Sequence, residues 1–203
     1  MKKVTIVDYG LGNLGSIANM VRKCGGASEI ASDPKVISRA QSIILPGVGA
    51  FDRGMRNIRQ SGLFEILRQK ATQEQIPILG ICLGMQLMTY GSEEGQLPGL
   101  GFVNASCKRF ETNKGFRVPH MGWDYIKLVR TSRFFALTDA EARFYFVHSY
   151  HVICEDPTLP LITCDYGGQF VAAFEKGNIL GVQFHPEKSH SFGKELISGF
   201  LRY

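Results

Sequence analysis

Cys82 stands between two glycines in Gly80-Ile81-Cys82-Leu83-Gly84, after the apolar run Ile76-Pro77-Ile78-Leu79 and before the helix-like Met85-Gln86-Leu87-Met88-Thr89-Tyr90. A strand that turns sharply into a helix pushes the turn residue out above the sheet edge, and flanking glycines permit the tight backbone this needs. The helix N-terminus behind the turn favours thiolate over thiol. On this reading Cys82 is a nucleophile; the plainer reading is a small core residue, the more common fate of a cysteine in apolar surroundings. A nucleophile needs a base, and Ile179-Leu180-Gly181-Val182-Gln183-Phe184-His185-Pro186-Glu187 reads as a strand running into a proline stop. Two positions apart in an extended segment, His185 and Glu187 point the same way, so Glu187 can hold one imidazole nitrogen and leave the other facing a thiol. A structural histidine in an ordinary turn competes with this, and the elbow elsewhere in the chain weakens that competitor. A third segment, Ser42-Ile43-Ile44-Leu45-Pro46-Gly47-Val48-Gly49-Ala50-Phe51, is a buried-strand run ending in a glycine loop. Backbone N–H groups there, with that of Leu83, could hold the oxyanion of a tetrahedral intermediate, although alone the segment is a plain strand-to-helix turn.

These residues need a scaffold that gathers strand ends. The first half alternates strands and amphipathic segments: Val4 to Val7, a helix near Asn13 to Cys24, Ala27 to Ala31, Ser42 to Leu45, a helical stretch from Phe51 to Lys70, and Ile76 to Leu79. Such alternation predicts a parallel sheet covered by helices on both faces. In the second half, 102–110, 125–129, 143–147, 161–165, 170–174 and 179–184 read as extended, before a closing helix at about 192–202. With no linker, repeat or low-complexity segment, the expectation is one α/β domain over 1–203, with a mixed, mostly parallel central sheet flanked by helices.

A chain of 203 residues, 44% apolar and 20% charged, can bury a substantial core. Its apolar runs are too short to span a bilayer, and Met1-Lys2-Lys3 leads into a strand rather than a signal-peptide core, so a cytoplasmic protein with no membrane partner is expected. The five cysteines, Cys24, Cys82, Cys107, Cys154 and Cys164, are odd in number and lack Cys-x-x-Cys spacing, which predicts reduced thiols. A formal charge of +5 is spread without a basic run, which argues against nucleic acid. A generic basic surface explains it best; an acidic partner or anionic substrates would also do so.

Two weaker patterns compete for attention. Gly10-Leu11-Gly12-Asn13-Leu14-Gly15 fits Gly-x-Gly-x-x-Gly after a first strand, with Asp33 at the distance of a ribose-binding acid. Asp8 just before the glycines, and Asp33-Pro34 closing the second strand, argue against a dinucleotide. His148 and His151 suggest a metal pair, but a three-residue step along one strand puts them on opposite faces. No metal and no cofactor are expected.

Seven segments together resemble the class I (triad) glutamine amidotransferases over nearly the whole chain, and within them the glutaminase subunits of imidazole glycerol phosphate synthase. They are Asp8-Tyr9-Gly10-Leu11-Gly12-Asn13-Leu14, Pro46-Gly47-Val48-Gly49, Gly80-Ile81-Cys82-Leu83-Gly84-Met85-Gln86, Ser92-Glu93-Glu94-Gly95, Pro119-His120-Met121-Gly122-Trp123, Phe146-Val147-His148-Ser149-Tyr150 and Gln183-Phe184-His185-Pro186-Glu187-Lys188-Ser189. The resemblance implies a flavodoxin-like fold and a defined chemistry. Cys82 attacks the carboxamide of L-glutamine, His185 protonates the departing ammonia, and a glutamyl thioester is then hydrolysed while Glu187 orients the ring. Gly47, Val48, Gly49 and Leu83 form the oxyanion hole, and Gln86, Glu94, Ser149 and Tyr150 grip the main-chain end of glutamine. It also implies a heterodimer with a cyclase (β/α)8 barrel that receives the ammonia, with Asn13, Trp123, Tyr145 and Lys188 at the interface. Glutaminase activity of the isolated chain is then low.

One departure bears on the pathway. Asp124 follows Met121-Gly122-Trp123 where the histidine-pathway enzymes usually carry Asn, and His190-Ser191-Phe192-Gly193 follows Lys188-Ser189. Both are similar to paralogues that supply ammonia for amidinating surface-polysaccharide sugars. Histidine biosynthesis is the first expectation, that paralogue or the glutaminase of another synthase the alternative. A binding module that has lost catalysis is disfavoured because all three triad residues are present.

Overall fold

Runs of Ile, Leu and Val without polar interruption make the centre of the sheet. In the computed structural model, which describes residues 3–111, 115–136 and 141–203, β3 (Ile43–Leu45), β4 (Ile78–Ile81) and β11 (Ile179–Val182) are buried at every position. Strands covered on both faces must be. With β1 (Lys3–Val7) and β2 (Ala27–Ala31) they lie side by side in the order β2-β1-β3-β4-β11, all parallel. That is the flavodoxin-like order, its fifth place filled by a strand from the far end of the chain.

Alternate residues of these strands feed two cores. Ile6, Ile44, Leu79 and Val182 pack with α1 (Leu14–Lys23) and α6 (His190–Arg202), while Ile43, Leu45 and Ile78 pack with the opposite layer. That layer is α3 (Phe51–Gln60) and α4 (Leu63–Thr72). The sequence reads 51–70 as one helical stretch, but Gly62 takes a left-handed φ of 73° and splits it. Asn13 caps α1, accepting from the Ser16 amide at 3.2 Å, and Asp33 caps the short α2 (Pro34–Ile37), accepting from the Lys35 amide at 2.8 Å. Asp33 is thus committed to a turn.

Beyond β11 the sheet continues through β10 (Gln169–Lys176), β9 (Pro160–Asp165), β6 (His120–Leu128) and β7 (Arg143–His148), each antiparallel to its neighbour. A ribbon of β5 (Ala105–Arg109) and β8 (Tyr150–Cys154) joins β10 through β8. The sheet is mixed and helix-flanked as expected, and among the described residues the named strands pair in parallel only within the first group, with antiparallel pairing throughout the second. Sequence patterning misses β8, which follows β7 after a one-residue break at Ser149, and starts β6 five residues late. All five cysteines are free. Among the described residues no helix is long and apolar enough to cross a membrane.

Candidate active site

β4 ends at Ile81, α5 (Leu83–Leu87) begins at Leu83, and Cys82 alone makes the turn, with φ 54° and ψ −110°. An L residue seldom adopts that backbone and keeps it only where the surroundings hold it. They do so closely. A Cβ on Gly84 would run into the Leu45 carbonyl oxygen, one on Gly80 would lie 2.8 Å from the Met85 amide nitrogen, and the Cys82 N–H donates to Val182 O at 2.8 Å. The glycines are required by close approach.

β11 runs parallel beside β4 with Val182 paired to Ile81, so the chain leaving β11 passes the elbow. His185 donates its amide to Tyr145 O at 2.9 Å, and Pro186 opens a 3-10 turn over Pro186–Lys188. That turn, rather than the same-side alternation of a strand, brings Glu187 Oε1 to 2.7 Å from His185 Nδ1. The contact expected from the sequence is present for a different reason. Both side chains are buried. Burial disfavours a charged ring, yet hydrogen bonding and charge interaction with Cys82 and Glu187 outweigh it and push the His185 pKa up to about 10. His185 Nε2, the nitrogen Glu187 leaves free, is buried and makes no hydrogen bond of normal length, so its interaction with Cys82 is a looser one.

A cavity of about 280 Å³ opens over Cys82, and Val48, Gly49, Leu83, Gln86, Glu94, His148, Ser149 and Tyr150 are among the residues that line it. Leu83 opens α5, so its N–H has no intrahelical acceptor. Gly47 is not on the wall; it packs against the Tyr9 hydroxyl and Leu83 Cβ. His185 and Glu187 are not among the residues that line the cavity. Glu94 Oε2 accepts from the Phe51 amide at 2.8 Å, fixing the end of the glycine loop. Gln86 spends both amide hydrogens, on Tyr150 O and on Gln183 Oε1, each at 3.0 Å, which leaves its carbonyl oxygen for the cavity.

Three groups at this site escape the sequence reading. Gln183 is fully buried and its Nε2 donates to Cys82 Sγ at 3.7 Å. A polar side chain inside an apolar strand was the available signal, since burying one costs free energy unless it is bonded. The Tyr9 hydroxyl donates to Pro46 O, and burial together with the nearby Cys82 raises its pKa. His148 donates Nδ1–H to Tyr150 O at 2.8 Å, its Nε2 lies 3.1 Å from His120 Nδ1, and His120 Nε2 lies 2.8 Å from Asp124 Oδ2. Burial, with His120, His151 and His185 nearby, pushes the His148 pKa down to about 3.

Both rejected patterns have structural explanations. The break at Ser149 lets His148 and His151 lie against one ring, Phe110, at 5.2 and 4.6 Å between centroids, so the opposite-face argument fails. No cluster that could hold a metal ion occurs among the described residues. The glycine loop at Gly10 and Gly12 packs onto Asn57, Pro46 and Gly47, beneath the loop that walls the cavity.

The four residues expected at an interface are all at least partly exposed. Asn13 caps α1, whereas Trp123 is 42% exposed on β6, stacked on His190 at 5.3 Å between centroids. Tyr145 faces Trp123 across the β6–β7 pair, and the Lys188 ammonium lies 5.3 Å from the Tyr145 ring centroid. Met121 and Tyr125 alternate with Trp123 on the same face, 61% and 57% exposed. A larger cavity, about 470 Å³, lies here between Trp123, Arg143 and Phe192, away from Cys82.

The family model for glutamine amidotransferase class-I matches residues 5–202. The chain belongs to that family. Among class I glutamine amidotransferases it is 51% identical over 199 residues to "Imidazole glycerol phosphate synthase subunit HisH 2" of Methanococcus maripaludis, covering 98% of both chains. It is 41% identical to the protein of the same name from Pseudomonas aeruginosa, again over 98% of each. PurLQS from Thermotoga maritima shares the amidotransferase fold at 17% identity, with a TM-score of 0.74 over 100% of this chain and 99% of that one.

Proposed function

We propose that this chain is the glutaminase subunit of an imidazole glycerol phosphate synthase. Cys82 Sγ, its proton passed to His185, attacks the side-chain carboxamide carbon of glutamine, and the carbonyl electrons move onto oxygen, held by backbone N–H groups of the Val48-Gly49 loop and of Leu83. As that intermediate collapses the C–N bond breaks, the leaving amino group takes a proton from His185 and departs as neutral ammonia, and a glutamyl thioester is left. Water, losing a proton to His185, hydrolyses the thioester to glutamate and restores the thiol. Glu187 holds the ring throughout. Gln86, Glu94, Ser149 and Tyr150 bind the main-chain end of the substrate.

The carrying observation is the meeting of two distant segments at neighbouring strand ends: the strained Cys82, and a His185 whose proton is held tightly by Glu187 and Cys82. Near-full-length similarity to proteins named as subunits of this synthase supports the choice of pathway. Ammonia released into neutral water becomes ammonium and loses its nucleophilicity, so a partner must take it directly. The exposed aromatic face of Trp123, Tyr125 and Tyr145 supports docking of a cyclase barrel there.

The test is a glutaminase assay with the barrel subunit. Wild type releases glutamate with it and little without it; Cys82→Ala assembles but loses activity by a factor on the order of 10⁴ or more. Activity retained by Cys82→Ala removes the nucleophile. Asp124 favours a second reading, a paralogous glutaminase serving sugar amidination. Rescue of a histidine auxotroph that lacks its own glutaminase subunit, with the native barrel supplied, selects the first reading, and failure to rescue by an active pair selects the second.

A further inference from the structure

The contacts linking Asp124, His120, His148 and Tyr150 O number three, and each needs a hydrogen between its two atoms. The carboxylate and the carbonyl can only accept, and a neutral imidazole carries one N–H. Two neutral rings therefore supply two hydrogens for three contacts. Without a third, lone pairs face each other across 3.1 Å or less, at rings that are 1% and 6% exposed.

We propose that Asp124, His120 and His148 are positioning residues of the glutamine site, holding the Ser149-Tyr150 backbone in place while they share one proton beyond what two neutral rings carry. His148 is kept neutral by burial and by the surrounding His120, His151 and His185, and its hydrogen is committed to Tyr150 O. The extra proton sits on His120, against the Asp124 carboxylate. Burial pushes the His120 pKa down and Asp124 opposes this, so the proton leaves as the pH rises toward neutrality from a point below 6.5. His120 is packed by Phe146 on β7 and by Tyr166 beyond β9, their centroids 4.6 and 3.9 Å from its own, and Asp124 also acts on Cys164 of β9.

Loss of the proton is felt at the cavity. His120 keeps its hydrogen on the nitrogen facing the carboxylate, and the His120–His148 contact becomes repulsive. His148 shares its acceptor, Tyr150 O, with Gln86, and His148, Gln86, Ser149 and Tyr150 all line the cavity. The wall shifts and glutamine binds less well. This step rests on the glutamine reading; the proton count does not.

Asp124→Asn is the deciding variant. Its carboxamide donates to a neutral His120, so three contacts find three hydrogens with no added proton. Glutamine binding to the full chain carrying Cys82→Ser, to prevent turnover, is measured by titration calorimetry between about pH 5 and about pH 8. With Asp124 the affinity falls by about three- to tenfold as the pH rises, and with Asp124→Asn it stays level. In ¹⁵N spectra of the imidazoles, His120 titrates below 6.5 in the wild-type chain, a readout needing no variant, and stays neutral in Asp124→Asn. The same pH dependence of binding in both chains, or a wild-type His120 neutral throughout, overturns the proposal. Absence of glutamine binding at every pH overturns the glutamine reading instead, and the ring signals then decide the proton count alone.

Discussion

The carboxamide of Gln183 has only one orientation open to it: its oxygen accepts from Gln86 Nε2 at 3.0 Å, which turns its nitrogen toward Cys82 Sγ at 3.7 Å. A buried N–H donor aimed at the sulfur stabilises negative charge there and holds the thiol in place. Gln183→Leu removes this donor and strands a Gln86 hydrogen in a buried site. The expected result is a loss of about 1–3 kcal/mol of stability in urea unfolding. Gln183→Glu still accepts from Gln86 but cannot donate to sulfur, so it lowers kcat by more than its effect on stability predicts.

His185 links activity and stability to pH. Its pKa of about 10 in the fold lies above the ordinary 6.5. The ring therefore binds protons more tightly in the folded state, and its stabilising contribution is complete below 6.5 and lost as the pH rises through about 10. Imidazole ¹⁵N shifts should show a His185 cation at neutral pH that titrates near 10. Cys82→Ala lowers that pKa, because part of the upward push comes from Cys82; an unchanged titration would separate the two residues electrostatically.

Glu187→Gln keeps the shape of the His185 contact but removes its charge. The ring loses both its orienting carboxylate and part of its hold on the proton. By analogy with replacing the orienting acid in other triads, kcat should fall on the order of 10²- to 10⁴-fold with a smaller change in KM. Steady-state glutaminase kinetics in the complex measure both.

Trp123→Ala probes the exposed aromatic face. The ring stacks on His190 at the surface, so its removal should leave the melting temperature of the isolated chain nearly unchanged. Affinity for the barrel subunit should fall about thirtyfold or more, as for a central aromatic anchor costing about 2 kcal/mol. Titration calorimetry of the two subunits decides it, and unaltered affinity would move the interface elsewhere.

Much of the chemistry was written locally. Gly80 and Gly84 around Cys82, Pro186 after His185, and unbroken apolar runs in the central strands act over a few residues, so their consequences follow from order along the chain. Composition and alternation likewise determined a helix-flanked sheet. Which strands became neighbours was decided only by the tertiary structure. Placing β11 beside β4 put Gln183 against Cys82, and pairing β6 with β7 set His120 opposite His148. A strand's alternation fixes which face a side chain takes but not what lies across from it. Even the His185–Glu187 contact, though foreseen, depends on a turn rather than on the extended chain. The proton shared among Asp124, His120 and His148 has no signature in sequence, because it is a property of three contacts that exist only once two strands have met in one register.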